Sequence, residues 1–286
     1  MILNFSHKPI IYGTLASFFS KSKVINVVTG IGHIFSLKKF FTIKILKFLY
    51  RIIEYKFNFI IFQDQRDSIF FYKNNFITKK KNIVIIEGSG IETNKFKPNN
   101  NCLNSKKIVF TYFGRILPEK GIVEFIKAAS ILKKKNKNIN FNLVGDFNKK
   151  LLNKKFVNFV LENIQNNVVK YSPHSNNIIN EYKKTSCVVL PSYREGISRT
   201  LLEACALKKF VITTNVPGCS DVIKHNFNGF VCRPKSVISL SRSMSNFLKL
   251  NHNLIKKMQN RSRAIILRRF DEKIILKKFL EVIEKL

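Results

Sequence analysis

The sequence predicts an α/β protein with doubly wound parallel sheets. Short apolar runs rich in β-branched residues alternate with amphipathic stretches along the chain, which is the pattern of strands connected by crossover helices. Glycine, serine and asparagine follow several of these runs, as expected for turns at strand ends. No run of eighteen apolar residues occurs, so no membrane-spanning helix is predicted. With 286 residues, the chain is long enough for two domains.

The chain is strongly basic, with 51 Lys and Arg residues against 17 Asp and Glu residues. Such a surplus favours polyanionic partners, either nucleic acid or an anionic membrane face. Lys, Asn, Ile and Phe are abundant together, so drift of the coding sequence toward A and T is an alternative origin of the charge. No helix-turn-helix, zinc finger or aromatic stacking platform accompanies it, so specific nucleic-acid binding is not expected.

The five cysteines show no Cys-x-x-Cys pair and no metal-ligand spacing with His. They are typical of reduced, mostly buried thiols in a cytoplasmic protein. The N-terminus lacks the charged segment and apolar core of a signal peptide. No Asp-x-Asp pair is placed to hold a divalent ion, so neither a metal nor another cofactor is expected.

In the first part of the chain, strands and helices are predicted to alternate. The strands are predicted at residues 2–5, 24–29, 59–62 and 83–86, and the helices at 9–19, at 37–55 and after the capping segment 63–67. In the helix at 37–55, Lys44, Lys47 and Arg51 share one face. Two interpretations stay open: this basic, aromatic-rich helix docks on an anionic membrane, or it packs on the sheet with its basic stripe in water.

The second part continues the alternation. Strands are predicted at residues 107–113, 139–144, 168–171, 188–190, 211–214 and 228–231, and helices at 122–132, 149–163, 177–183, 199–206, within 236–269 and at 270–286. The asparagine-rich stretch between the two parts is predicted to be a linker. The predicted domains are 1–98, a linker at 99–105, a second domain at 106–270 and a closing helix at 271–286.

The stretch around which the chain is organised runs from Val188 to Gly229, and it begins with a strand, a loop and a helix that ends at Ala206. The strand leads into a loop punctuated by proline and glycine, and Ser198 stands at the N-cap position of the helix. Because backbone N–H groups point out of a helix N-terminus, this geometry favours a bound anion. Two carboxylates bracket the unit, Glu195 in the loop and Glu203 within the helix.

The block that contains these carboxylates resembles the signature of family-4 retaining glycosyltransferases, which have the GT-B fold. The resemblance rests on Pro-Ser-Tyr-Arg-Glu-Gly at 191–196, on seven residues between Glu195 and Glu203, and on Val-Ile-Thr-Thr-Asn-Val-Pro-Gly-Cys at 211–219. It implies two Rossmann-type domains, each with a doubly wound sheet.

Two pieces of the first domain resemble the subgroup that acts on polyprenyl-linked sugars in surface polysaccharide or lipopolysaccharide assembly. These are Lys-Pro-x-x-Tyr-Gly at 8–13 and Thr-Gly-x-Gly at 29–32. The resemblance implies transfer of a hexose or N-acetylhexosamine, with retention, from a nucleotide diphosphate donor, UDP being favoured. The acceptor implied is a polyprenyl-linked sugar or glycan, and the location implied is the cytoplasmic face of a membrane.

The resemblance also assigns roles to residues. Glu203 is expected at the ribose hydroxyls, Glu195 at the donor sugar, and His174 near the nucleotide base. The departing diphosphate would be stabilised by cations and backbone groups from two loops, namely Gly114, Arg115, Lys120, Gly196, Ile197 and Ser198. Thr29, Gly30 and Gly32 are expected on the acceptor side.

The chain departs from the family pattern in two places. Thr29 stands where many members carry His, and His33 is a weak substitute for it. The family's first domain normally begins with a strand, a glycine-rich loop and further βα units that precede the segment seen here, so the first domain is expected to be incomplete. A noncatalytic remnant that binds nucleotide sugar without turnover is therefore the alternative function, followed by a nonspecific nucleic-acid-binding protein.

Overall fold

A computed structural model describes residues 1–30, 40–98, 107–173 and 177–286. The chain divides into two compact units, Met1–Gly90 with Arg269–Leu286, and Ile91–Arg268. This division falls before residue 98, where the sequence placed the end of the first domain, and it assigns the C-terminal helix to the first unit. The predicted linker lies outside the described residues.

The described part of the first unit contains a parallel four-stranded sheet in the order β1-β2-β3-β4. Its strands are β1 (Ile2–Phe5), β2 (Val24–Val28), β3 (Phe59–Phe62) and β4 (Ile83–Ile85). The helices between them are α1 (His7–Ala16), continued by a 3-10 turn at Ser17–Phe19, then α2 (Phe40–Ile53) and α3 (Gln65–Lys73). This alternation confirms the predicted α/β class for the first unit.

Both faces of this sheet carry apolar cores, because the inner strands β2 and β3 are buried and mostly hydrophobic, whereas the edge strand β1 is largely exposed. One face packs against α1, α2 and α3 through residues such as Ile10, Tyr50 and Phe71. The other face packs against the C-terminal helix α10 (Glu272–Ile283), where Ile275 and Val282 meet residues of β2 and β3. The closing helix thus completes the core of the first unit.

The second unit contains a parallel six-stranded sheet in its described part, in the order β10-β9-β8-β5-β6-β7. The strands are β5 (Ile108–Phe113), β6 (Ile139–Val144), β7 (Lys170–Ser172), β8 (Cys187–Leu190), β9 (Phe210–Thr214) and β10 (Phe230–Cys232). The chain moves outward from β5 to β7 and then returns to add β8 beside β5. The strand order therefore reverses between β5 and β8, as in doubly wound nucleotide-binding folds.

Helices cover this sheet, and α7 carries the central motif. The helices are α4 (Ile122–Lys135), α5 (Lys154–Gln165), α6 (Ile178–Lys183), α7 (Arg199–Ala206), α8 (Val237–Leu248) and α9 (His252–Ile265), followed by a π-helical stretch at Ile266–Phe270. β6 and α7 match their predicted limits.

Several boundaries differ from the sequence prediction, and two of these differences have a local cause in the structure. The single helix predicted at 149–163 is instead a 3-10 turn at Lys149–Leu151 and then α5, because the side chain of Asn153 caps α5 by accepting a hydrogen bond from Lys155 N at 2.8 Å. The strand predicted from 168 begins only at Lys170. Asn167 has a φ of 54°, and the turn that it makes after α5 delays the strand.

Candidate active site

The candidate site lies where the strand order of the second sheet reverses. β5 ends at Phe113 and continues into Gly114 and Arg115, while β8 ends at Leu190 and continues into the loop that carries Glu195. β5 and β8 are hydrogen-bonded neighbours, so these two loops leave the same edge of the sheet side by side. Ligands of open α/β sheets bind in the crevice at this reversal point.

A cavity of about 580 Å³ opens at this edge, within the second unit. It brings together three of the predicted site residues, Gly114, Arg115 and Glu203. The remainder of its lining comes from the segment after the first unit, from the ends of β5 and β6, and from α6 and α7. These residues are Lys95, Phe96, Phe113, Val144, Gly145, Asp146, Asn177, Ile178, Ile179, Arg199 and Thr200.

Both carboxylate oxygens of Glu203 are held in place. Arg199, one turn earlier on α7, donates from Nε to Oε1 at 3.0 Å, and Tyr182 donates from its hydroxyl to Oε2 at 3.0 Å. Burial raises the pKa of Tyr182 well above its usual value, and the Glu203 charge adds to the rise, so the phenol stays protonated and acts as a donor. The carboxylate at the cavity wall is therefore oriented before any ligand arrives.

Tyr182 is itself fixed by the end of β5. Its ring stacks on that of Phe113, with ring centroids 4.1 Å apart and planes inclined by 24°. Phe113 immediately precedes Gly114 and also lines the cavity. Through Tyr182, this stacking links the orientation of Glu203 on α7 to the loop that begins at Gly114.

Glu195 forms an ion pair with Lys120. Lys120 Nζ lies 2.6 Å from Glu195 Oε1, and the Ser192 hydroxyl donates to the same oxygen at 2.7 Å. Ser192 is fully buried, and its carbonyl accepts a hydrogen bond from the hydroxyl of Thr214. The two loops predicted to carry the chemistry thus meet through charged side chains, although neither Lys120 nor Glu195 belongs to the cavity lining.

Close backbone contacts fix the loop around Glu195. A Cβ on Gly121 would lie 2.1 Å from the carbonyl oxygen of Pro191, and a Cβ on Gly218 would lie 1.8 Å from that of Gly196. Both glycines have positive φ, +72° and +79° respectively. Glycine at these positions therefore allows the turn and also the approach of one loop to the other.

The start of α7 matches the prediction in position but not in its side-chain contact. Ser198 is the N-cap residue and is buried, yet within the described chain its side chain makes no capping hydrogen bond. Its carbonyl accepts from Leu201 N and Leu202 N at 3.0 and 3.1 Å. With Gly196 and Ile197, Ser198 forms the turn from which the first N–H groups of α7 emerge.

The predicted acceptor-side residues belong to the first unit. The carbonyl of Gly30 accepts a hydrogen bond from His7 Nε2 at 3.1 Å, and His7 Nδ1 lies 2.7 Å from the hydroxyl of Tyr50. Because a carbonyl only accepts, Nε2 carries the proton, and in the neutral ring Nδ1 then accepts from the Tyr50 hydroxyl, whose pKa is raised by burial. Thr29 is exposed beside Gly30. Gly32, His33 and His174 lie outside the described residues.

Sequence reasoning left the partners of the carboxylates unassigned. Arg199 was detectable, because a residue four positions before Glu203 on a helix shares its face. Ser192 and Tyr182 carried no such signal, since only the folded chain brings them to Glu195 and Glu203. Among the residues outside the gaps, no group of three or more His, Cys, Asp and Glu side chains is arranged to bind a metal ion. No helix in the described chain is long and apolar enough to cross a bilayer.

The second unit identifies the family. Residues 93–265, more than half of the chain, match the family described as glycosyl transferases group 1. The chain therefore belongs to this family. This membership agrees with the glycosyltransferase resemblance carried by the motif at 191–219.

Two curated relatives are named as glycosyltransferases for lipid-linked sugars. An N,N'-diacetylbacillosaminyl-diphospho-undecaprenol α-1,3-N-acetylgalactosaminyltransferase of Campylobacter jejuni is 28% identical over 302 residues, covering 98% of this chain and 75% of the relative. A UDP-Gal:α-D-GlcNAc-diphosphoundecaprenol α-1,3-galactosyltransferase of Escherichia coli is 28% identical over 168 residues, covering 54% of this chain and 43% of the relative.

Solved glycosyltransferase structures have the same fold. Anabaena Alr3699/HepE in complex with UDP superposes with a TM-score of 0.86 at 19% identity, covering 99% of this chain and 79% of that one. A glycosyltransferase from Rickettsia africae gives a TM-score of 0.79 at 23% identity, covering 96% and 73%. These similarities confirm the GT-B fold class. The predicted incompleteness of the first domain stays a prediction.

Proposed function

We propose that this chain transfers a hexosyl or N-acetylhexosaminyl group from a UDP-sugar to a polyprenyl-diphosphate-linked sugar, with retention of anomeric configuration. The observation that carries the proposal is the pre-oriented carboxylate of Glu203, which lines a cavity together with Arg115 at the reversal point of a nucleotide-binding sheet. Membership of the glycosyltransferase family supports transferase chemistry.

The donor nucleotide would lie in the cavity with its ribose against α7. A carboxylate whose oxygens already accept from Arg199 and Tyr182 keeps lone pairs for the two ribose hydroxyls and pays little entropy to reach them. UDP is the nucleotide named for the Anabaena neighbour and for the Escherichia coli relative. We therefore propose that UDP is the nucleotide of the donor used by this chain.

The bond between C1 of the sugar and an oxygen of the diphosphate breaks during transfer. Negative charge grows on the diphosphate as it does so. A new bond forms from C1 to the acceptor hydroxyl oxygen, and the proton of that hydroxyl passes to an oxygen of the departing diphosphate. Arg115 in the cavity, Lys120 beside Glu195 and the N–H groups at the start of α7 are the groups of this chain suited to stabilise that charge. Glu195 would accept a hydrogen bond from the donor sugar.

The loops at 114–121 and 191–198 supply their own positive charge, and we propose that transfer needs no resident metal ion. Turnover that survives treatment with EDTA would support this proposal. Loss of turnover in EDTA, with recovery on addition of Mg²⁺ or Mn²⁺, would contradict it.

The acceptor is proposed from the relatives, both of which are named for undecaprenol-diphosphate-linked sugars. We propose that Thr29, Gly30 and Gly32 of the first unit lie on the side of the site where the acceptor binds. A lipid-linked acceptor would place the reaction at a membrane face, and we propose the cytoplasmic one.

Calorimetric titration with UDP tests the donor site, using the wild-type chain and a Glu203→Gln variant. We expect Glu203→Gln to weaken binding by roughly tenfold to a hundredfold, because one or two charge-assisted hydrogen bonds of about 1.5–3 kcal/mol are lost. Glu162→Gln is the matched control, since Glu162 is an exposed helical residue of the same unit. It should bind UDP as the wild type does.

Parallel titrations with GDP and ADP test the choice of base. Absence of binding to all three nucleotides by folded protein would refute the donor site. Binding that Glu203→Gln leaves unchanged would place the nucleotide elsewhere. Nucleotide binding without transfer to a synthetic polyprenyl-diphosphate sugar would favour the noncatalytic alternative.

A further inference from the structure

The first unit carries an exposed aromatic surface on α1 and α2, which we call the aromatic-basic surface. Phe19 at the end of the 3-10 turn is 96% exposed, Tyr12 on α1 is 70% exposed, Phe48 on α2 is 64% exposed, and Tyr55 just after α2 is 78% exposed. A single exposed apolar side chain is ordinary, but four large aromatic groups on two neighbouring helical segments indicate an interaction site.

The two helical segments pack on the same face of the first sheet. Residues of α1 such as Ile10 and residues of α2 such as Tyr50 enter one core cluster on one face of the sheet. The helices also contact each other. Lys56 Nζ, just beyond α2, donates to the carbonyl of Ser20, just beyond Phe19, at 2.8 Å. Because the inward sides of these neighbouring segments share a core, their outward sides lie next to each other on the same side of the first unit.

The charge of this part of the chain has a single sign. Residues 1–53 contain no Asp or Glu, whereas their Lys and Arg residues are Lys8, Lys21, Lys23, Lys38, Lys39, Lys44, Lys47 and Arg51. The first acidic residue, Glu54, is buried, and its carboxylate accepts hydrogen bonds from Thr78 N and Lys79 N. The exposed aromatic groups therefore lie in a positive field with no exposed carboxylate of that segment to balance it.

We propose that the aromatic-basic surface docks on an anionic phospholipid membrane. Aromatic and aliphatic side chains on one side of an amphipathic helix enter the headgroup boundary, while Lys and Arg beside them bind lipid phosphates. The proposal extends the proposed function, because docking would bring the first unit to a lipid-linked acceptor. It also resolves the two interpretations of the basic helix in favour of a membrane contact.

Two pairs of substitutions separate the apolar contribution from the charge contribution. Phe19→Ser with Phe48→Ser removes aromatic groups, and Lys8→Gln with Lys44→Gln removes two positive charges. All four side chains are exposed, so both double variants should fold as the wild type does. Thermal melting checks this.

The matched controls lie in the second unit. Leu151→Ser with Ile238→Ser removes two apolar groups that are 81% and 71% exposed, and Lys256→Gln with Lys257→Gln removes two exposed charges on α9. The controls alter net charge and surface hydrophobicity as the test pairs do, but away from the proposed surface.

The experiment is co-sedimentation of the full chain with vesicles of phosphatidylcholine, with or without phosphatidylglycerol, and without donor or acceptor. The wild type should bind the anionic vesicles and lose binding as salt is raised. Each charge contributes about fivefold to partitioning, so the lysine pair should lower binding by roughly twentyfold. The aromatic pair should lower it by at least tenfold, and the controls should bind as the wild type does.

Three results would overturn the proposal. The wild type could fail to bind anionic vesicles, or the control pairs could weaken binding as much as the test pairs. Binding to a DNA duplex that the test pairs abolish, with no vesicle binding, would assign the surface to nucleic acid instead. Because the assay contains no nucleotide sugar, vesicle binding without UDP binding would refute the proposed donor site while leaving this surface in place.

Discussion

Substitution of Gly218 by alanine tests whether the loop contacts around Glu195 are as close as the structure shows. The new Cβ would lie 1.8 Å from the carbonyl oxygen of Gly196, and real Cβ contacts essentially never fall below 3.0 Å. The loop that carries Gly218 and the loop that carries Gly196 must therefore separate by more than about 1 Å. A misplacement of this size can cost about a hundredfold in activity. Since Gly196 follows Glu195 directly, the carboxylate and the start of α7 would move with it.

The backbone conformation adds a second cost. Gly218 has a φ of +79°, and a non-glycine residue held in that region costs of order 1–3 kcal/mol. For a chain of this size, we expect the melting temperature to fall by roughly 2–10 °C. The separated loops should also weaken UDP binding by at least tenfold, because the N–H groups at the start of α7 would no longer converge on the position proposed for the diphosphate.

Thermal melting and calorimetric titration with UDP measure the two effects separately. Asn167→Ala is the control, because Asn167 also has positive φ but lies in a turn after α5, away from the site. It should lower the melting temperature without changing the affinity for UDP. If Gly218→Ala binds UDP as tightly as the wild type, the loop contact does not position the donor site, and the reasoning is refuted.

Two further predictions follow from buried groups of the second unit. Tyr182→Phe removes the hydroxyl that donates to the Glu203 carboxylate, so UDP affinity should fall by about tenfold with a change in fold stability below about 2 kcal/mol; unchanged calorimetric affinity would show that Arg199 alone orients Glu203. Burial raises the pKa of the thiols of Cys205 and Cys219 to about 12 from an ordinary value of 9.0. The unfolded chain releases these protons first as pH rises, so their contribution to stability is complete below about pH 9 and is lost toward pH 12. Denaturant unfolding across that range should show falling stability, and a flat profile would contradict the burial of these thiols.

The carboxylates of the site could be predicted from the sequence, but their partners could not. Glu195 and Glu203 belong to one contiguous motif, so their spacing can be read directly from the sequence. Ser192 lies three residues before Glu195 in the same motif, yet only the folded conformation of that loop shows that its hydroxyl reaches Glu195. Tyr182 is on a different helix and reaches Glu203 only because β8 returns beside β5.

The fold was predictable for a similar reason. Buried parallel strands such as β3 are continuous apolar runs, and the limits of β3 could be read from composition alone. Helix starts depend on single capping contacts, so the prediction failed at α5, where Asn153 begins the helix after a separate turn. Long-range pairing, including the strand order that creates the site, follows from the chain's crossover connections and leaves no mark in any one segment.

The ion pairs of the site show how its charges would be divided if it bound the proposed diphosphate. Lys120 is paired with Glu195, whereas no carboxylate of the described residues lies within salt-bridge distance of Arg115. Arg115 is therefore available to phosphate at once, and Lys120 must be shared between phosphate and Glu195. Because Ser192 donates to the same oxygen of Glu195 at 2.7 Å, the carboxylate keeps one hydrogen bond if Lys120 turns away. Such a site can transfer positive charge toward the diphosphate without releasing the group that would hold the sugar, which is what preorganised stabilisation of a departing anion requires.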